Sequence, residues 1–187
     1  MADAGNRFFV ITGGPGSGKS TLIAALEREG YGVSPEAGRQ IIREQMAVSG
    51  SALPWADKAL FADAMLARDI ESYRAALRRA GDVFFDRGIP DVLGYATLVG
   101  LPLSSAMNEA AQRFRYHRRV FIAPFWPDIF TQDAERKQTP DEAERTFNMM
   151  ERTYAACGYE LEQLPRASVD SRLNFVRERC RAWLDRS

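Results

Sequence analysis

Apolar residues along this chain follow two habits, short unbroken runs and longer stretches where they return at helical spacing. The first marks strands buried on both faces and the second amphipathic helices. Residues 7–12 are apolar and β-branched and run into the glycine-rich segment GGPGSGKS, after which STLIAALERE has helical periodicity. That is strand, loop, helix. Gly30 to Gly32 stops the helix, residues 33–35 read as a short second strand, and residues 36–48 are helical through Ile41, Ile42 and Met46. Residues 54–80 form a long amphipathic pattern with Leu60, Phe61, Ala64, Met65 and Tyr73 on its apolar stripe, ended by Gly81.

The run DVFFD at 82–86, closed by an acid, suits a third strand buried inside a parallel sheet. Residues 90–99 and 104–116 predict short helices. Residues 120–123 predict a fourth strand, stopped by Pro124 and Pro127. Residues 128–141 are polar and mixed, 142–157 are helical, 159–164 suit a fifth strand and 168–184 a closing helix. This alternation predicts an α/β fold of three layers around a mainly parallel, about five-stranded sheet.

Length and composition then narrow the classes. The 187 residues, 45% hydrophobic and 27% charged, suit one domain over 1–187. Lysine plus arginine and aspartate plus glutamate stand at 25 each, so no overall field draws the chain to nucleic acid or anionic lipid. The apolar stretch after MADAGNR is too short for a signal-peptide core or a membrane span, and a cytoplasmic location is the expectation. Cys157 and Cys180 lack disulfide-framework or zinc spacing and read as ordinary thiols. Oligomeric state is left open.

Gly13, Gly18, Lys19 and Ser20 match G-x-x-x-x-G-K-[ST] in the strand-to-helix setting that this phosphate-binding P-loop requires. Glycines at 13, 14, 16 and 18 let consecutive backbone N–H groups converge on phosphate oxygens, and the following helix adds its positive end. The cradle would run through Gly13, Gly14, Pro15, Gly16, Ser17, Gly18, Lys19, Ser20 and Thr21. Lys19 would reach the β- and γ-phosphates of ATP, and the Ser20 hydroxyl would complete the shell of a Mg²⁺ ion.

The loop leaves the reaction open. None of the three lysines, Lys19, Lys58 and Lys137, stands in the guanine-reading [NT]-K-x-D, which argues against a signalling GTPase. Asp91 to Gly94 spells D-x-x-G inside a predicted helix instead of at a strand end. The third strand ends Asp86-Arg87-Gly88, without the Asp-Glu of oligomeric machines. This Asp-Arg pair resembles that of P-loop nucleoside and small-molecule kinases. The wider pattern, with EAGR after the second strand and DRGIPD after the third, is similar to AAA-type ATPases related to the kinase domain of NadR.

The resemblance implies a kinase-like P-loop NTPase fold and roles for particular residues. Glu36 stands where deoxynucleoside kinases carry the carboxylate that accepts the substrate hydroxyl proton; the alternative is that it simply starts a helix, where its charge is favourable by about 0.3–1 kcal/mol. Arg39, one turn on, could pair with Glu36 or grip a substrate anion. Asp86 would hold magnesium. Arg87 would touch substrate or phosphate, or else pair with Asp86 or Asp91. Residues 128–145 resemble a lid, with Arg136 first among its cations, then Lys137 and Arg145.

Residues 165–168 fall where such kinases rest the adenine ring. His117, inside RFRYHRR, is expected at the surface. Phe121, Phe125, Trp126 and Phe130 read as core more than as a stacking platform. Arg113, Arg115, Arg118 and Arg119 read as a solvated face more than as an RNA site. The leading expectation is an ATP- and Mg²⁺-dependent phosphotransferase acting on a small hydroxylated molecule, with a nucleoside as one candidate. The alternative is a nucleotide-controlled ATPase or binding module without an acceptor.

Overall fold

The computed structural model describes residues 4–129 and 139–185. Five strands, β1 (Phe8–Gly13), β2 (Gly32–Ser34), β3 (Val83–Asp86), β4 (Arg119–Ala123) and β5 (Glu160–Gln163), form one parallel sheet in the order β2-β3-β1-β4-β5. Seven helices connect and cover them: α1 (Lys19–Arg28), α2 (Ala37–Ala47), α3 (Lys58–Ala76), α4 (Ile89–Leu98), α5 (Ser105–Arg113), α6 (Pro140–Ala156) and α7 (Val169–Leu184). The expected alternation is present, with each strand within one or two residues of its apolar run.

The period of two along each strand divides the core. Phe8, Val10, Val83, Phe85 and Val120 face α3, α4, α5 and Tyr154 of α6. Phe9, Ile11, Phe84, Phe121 and Ala123 face α1 and α7. A smaller cluster joins Ile41 and Ile42 of α2 to Leu53 and Phe61, tying α2 and the start of α3 together. β1 lies in the middle of the sheet, and the chain goes to one side for β2 and β3 and to the other for β4 and β5. A crevice opens at the carboxyl ends of strands where such an order reverses, and that is where the glycine-rich loop emerges.

Several sequence expectations shift. The long helix begins at Lys58 instead of residue 54, because the Asp57 side chain accepts a hydrogen bond from Leu60 N and caps it there. Leu60 and Met46 are exposed, at 44% and 59%, so the apolar stripes of α3 and α2 are narrower than their periodicity suggested. His117 is buried, not at the surface. Its ring stacks on Trp183 at 5.2 Å, and its Nδ1 accepts a hydrogen bond from the Arg119 backbone at 3.1 Å. Burial lowers its pKa, which suits a neutral acceptor.

Of the neighbouring arginines read as a solvated face, Arg113 and Arg118 are exposed and Arg115 and Arg119 half-buried. Arg118 and Arg119 pair with Glu160, and Arg115 donates to Cys157 O at 3.0 Å while lying over Tyr159. Phe121 is core and Phe125 and Trp126 are half-buried, while Phe130 lies outside the described residues. Cys157 and Cys180 are free thiols. Among the described residues no helix is long and apolar enough to cross a membrane.

Candidate nucleotide and acceptor site

The crevice is built from backbone first. Gly13 ends β1 with φ 128°, and a Cβ there would come within 2.3 Å of the Ala123 carbonyl oxygen on β4, so only glycine lets the loop leave the sheet between its neighbours. Residues 15–21 then wrap a cavity of about 120 Å³, closed on its far side by Glu36, Arg39 and Arg87. This is a cradle of amides at the start of α1 and can hold phosphate oxygens.

Lys19 is buried at the mouth of α1, 6% exposed, with its Nζ turned back to donate to Gly14 O at 2.6 Å and Ser17 Oγ at 3.2 Å. Burial first, and then the charge of Arg87, pull its pKa from 10.5 down to about 7, against the upward pull of Asp86, Glu36 and Asp91. Ser20 Oγ donates to Asp86 Oδ2 at 3.1 Å, while Asp86 Oδ1 is buried and has no hydrogen-bond partner among the described residues. Burial and Glu36 raise the Asp86 pKa.

A carboxylate oxygen left without a partner beside a hydroxyl is the donor set of a hard cation that also takes phosphate and water. Ser20 and Asp86 therefore fit magnesium. Among the described residues no three His, Cys, Asp or Glu side chains gather as a metal cage, and Mg²⁺ held partly by phosphates does not require one.

Asp86 occupies the last position of β3, opposite Ile11 of β1, and Arg87 follows with φ 74°, the left-handed region that costs a non-glycine residue roughly 1–2 kcal/mol. That turn throws the Arg87 side chain back over the crevice. Its Nη1 donates to Asp91 Oδ1 at 2.7 Å and its Nε to Glu36 Oε1 at 3.3 Å. Burial opposes its charge, but Glu36, Asp91 and Asp86 outweigh that and hold it firmly protonated.

Asp91, in the first turn of α4, accepts four hydrogen bonds. They come from Thr12 Oγ1 at 2.7 Å, Arg87 Nη1 at 2.7 Å, Gly88 N at 3.0 Å and Tyr154 OH at 2.7 Å. The residue set aside in the D-x-x-G reading is thus the hub of the site's second layer. Thr12 and Tyr154 also belong to it and carried no sequence signal, since they come from β1 and α6. Half-buried Asp69 of α3 carries its proton up to about pH 8, through burial and the charges of Asp91 and Glu36.

Glu36 is the N-cap residue of α2, yet its side chain makes no capping bond; it turns to Arg87 and, at 3.7 Å, to Arg39. The structure therefore brings Lys19, Ser20, Glu36, Arg39, Asp86 and Arg87 to one place. Arg136 and Lys137 lie outside the described residues. Arg145 lies on α6 at the rim of a second cavity, of about 510 Å³. Trp55, Phe61, Tyr95 and Met150 wall that cavity, and it shares Pro15, Glu36 and Arg87 with the phosphate cradle.

Two outcomes follow from these geometries. Asp91→Ala strands four donors, one of them on the largely buried Arg87 guanidinium, so urea denaturation should show a loss of about 3–5 kcal/mol, against about 1 kcal/mol for Tyr154→Phe. An Asp91→Ala midpoint equal to wild type would refute the hub. For Lys19, the unfolded chain holds a proton up to pH 10.5 that the folded chain releases at about 7. Its penalty is complete below pH 7 and fades as pH rises to 10.5, so wild type should gain stability over Lys19→Met by up to about 1.4 kcal/mol per pH unit across that window.

Comparison with known proteins bears on the fold. Among solved structures the chain is similar to the NadR protein in complex with NR, with TM-score 0.69 and 17% identity over 93% of this chain and 50% of that one. It is similar also to thymidylate kinase from Ehrlichia chaffeensis, with TM-score 0.64 and 15% identity over 93% and 98%. Deoxyadenosine kinase from M. mycoides with bound dCTP matches at TM-score 0.59 and 14% identity over 94% and 99%. At such identities the likeness is one of fold. No curated protein matches the chain. The family model described as AAA domain matches residues 8–172, so the chain belongs to that AAA domain family, with the kinase-like P-loop NTPase fold that its sheet and loop display.

Proposed function

We propose that the protein transfers the γ-phosphoryl group of ATP to a hydroxyl of a small, ring-bearing acceptor, with nucleosides the leading class. The observation that carries this reading is that Glu36 and Arg87 line both cavities at once. A group seated on the phosphate loop and a molecule in the larger cavity would meet at these two side chains. A plain hydrolase has no use for a second cavity of about 510 Å³ opening onto its phosphates.

In this reading the amides of residues 13–21 and Lys19 grip the phosphates. Ser20 and Asp86 would hold Mg²⁺, which would neutralise phosphate charge when bound. Glu36 orients the acceptor hydroxyl and takes its proton as the new P–O bond forms and the bond to the bridging oxygen of ADP breaks. Since Glu36 also serves Arg87 and Arg39, its larger contribution is orientation, which is most of what phosphoryl transfer asks of a protein.

Arg87 steadies the charge in transfer, Arg39 stands ready for an acceptor anion, and Trp55, Phe61 and Tyr95 give a ring somewhere to lie. Arg136 is proposed to close over the phosphates from the lid segment, and Arg145 lines the larger cavity. The similar folds named as thymidylate kinase and deoxyadenosine kinase support a nucleoside-like acceptor.

The test is a coupled assay with Mg-ATP against nucleosides, sugars and polyols. A ring-bearing alcohol should be phosphorylated, Lys19→Ala should remove activity, and Glu36→Gln should lower kcat by about 10²–10⁴ while ATP still binds. Slow ATP hydrolysis that no acceptor accelerates would reject the transferase and leave a nucleotide-controlled ATPase.

A further inference from the structure

Against the phosphate loop, but outside the lining of the cradle, lies an arginine that the reaction scheme does not use. Arg172, near the start of α7, is 3% exposed. Its Nη1 donates to Ser17 O at 3.0 Å, its Nε is buried with no hydrogen-bond partner among the described residues, and no carboxylate among them pairs with it. Burial alone acts on its pKa, downward, with no acid to offset it. Arginine nevertheless stays charged in proteins, so among the described residues this is a buried cation without a counter-ion. Such a group is costly to keep, and a packed apolar side chain in its place would ordinarily stabilise the fold.

Its one bond falls at a telling position. The Ser17–Gly18 peptide is trans and planar, which sets the Ser17 C=O and the Gly18 N–H in opposite directions. Drawing the carbonyl toward Arg172 turns the amide away from it. Gly18 lines the 120 Å³ cradle and Arg172 does not. Gly18 itself sits at φ 75°, and a Cβ on it would meet Arg172 Nη1 at 2.7 Å, so the guanidinium approaches this closely only because the residue is glycine.

We propose that Arg172 is a positioning residue of the nucleotide site, clamping the Ser17–Gly18 peptide so that the Gly18 amide faces the phosphates, and holding a buried positive charge that the polyphosphate of a nucleoside di- or triphosphate compensates. The inference rests on the reading that this loop grips a nucleotide. It adds a residue from the far end of the chain, and a reason for it: no carboxylate among the described residues balances this charge, and an anionic ligand on the loop would. Because the clamp acts on the amide cradle and not on the group transferred, ADP and ATP should depend on it alike.

Calorimetric titration of Mg-ATP and Mg-ADP into wild type, Arg172→Met and Arg172→Lys, with thermal unfolding of each free protein, tests this. Arg172→Met should weaken both nucleotides by the same factor, on the order of tenfold, while its ligand-free Tm stays at or above that of wild type. Arg172→Lys, which keeps the charge, should recover part of the loss. Unchanged affinity in Arg172→Met overturns the proposal, as does a drop in ligand-free Tm that accompanies the lost binding, since that is the mark of a packing role. If wild type binds neither nucleotide, the phosphate-loop reading itself fails and this proposal with it; wild-type binding with an indifferent Arg172→Met fails only this proposal.

Discussion

A largely buried guanidinium held between two carboxylates sets the geometry of the crevice. Arg87 can bridge Glu36 and Asp91 only from the left-handed backbone turn that follows β3, and that turn is tolerable only because the two ion pairs hold it there. Asp91 in turn can face Arg87 because Thr12, Gly88 N–H and Tyr154 satisfy its other lone pairs. Four elements, β1, β3, α4 and α6, are thus locked through one carboxylate. The end of β1 that launches the phosphate loop is held in register with the strand end that carries Asp86.

The electrostatics around that lock are left incomplete in a consistent direction. Burial pulls the Lys19 pKa down to about 7, and among the described residues Asp86 keeps one oxygen without a partner and Arg172 has no acid to answer it. Each cost has the same remedy, a polyanion with a divalent cation lying in the cradle. A packed core normally leaves no such debts. Their concentration around a loop of glycines fits the general pattern in which binding sites are assembled from groups that are poorly satisfied until the ligand arrives.

The meeting of two cavities at Glu36 and Arg87 carries the proposed transfer chemistry. The cradle is small and polar, while the adjoining cavity is several times larger and walled by aromatic and aliphatic side chains with a few charges at its rim. This division matches a reaction in which one partner is held by charge and the other by shape. The residues linking the two spaces are themselves fixed by the lock beneath them, so orientation of an acceptor would be inherited from the fold and not left to a mobile side chain.

What the chain's order of residues determined is whatever depends on near neighbours. Strand runs, helical spacing and the GGPGSGKS loop are local, and from them came the parallel sheet, the place of the cradle, and Asp86 at a strand end. Tertiary structure decided the rest, because it depended on side chains far apart in sequence arriving at one point. Asp91 looked like a discarded motif residue until Thr12 and Tyr154 reached it, and Glu36 could also be read as the start of a helix until Arg87 turned back toward it. His117 went inside against its arginine-rich neighbours because Trp183 offered a ring to stack on. Arg172 gained its meaning from a single carbonyl 155 positions earlier in the chain. Periodicity and motif spacing report the backbone's short-range geometry; the pairing of buried charges is settled only when packing excludes water and leaves each one its partner.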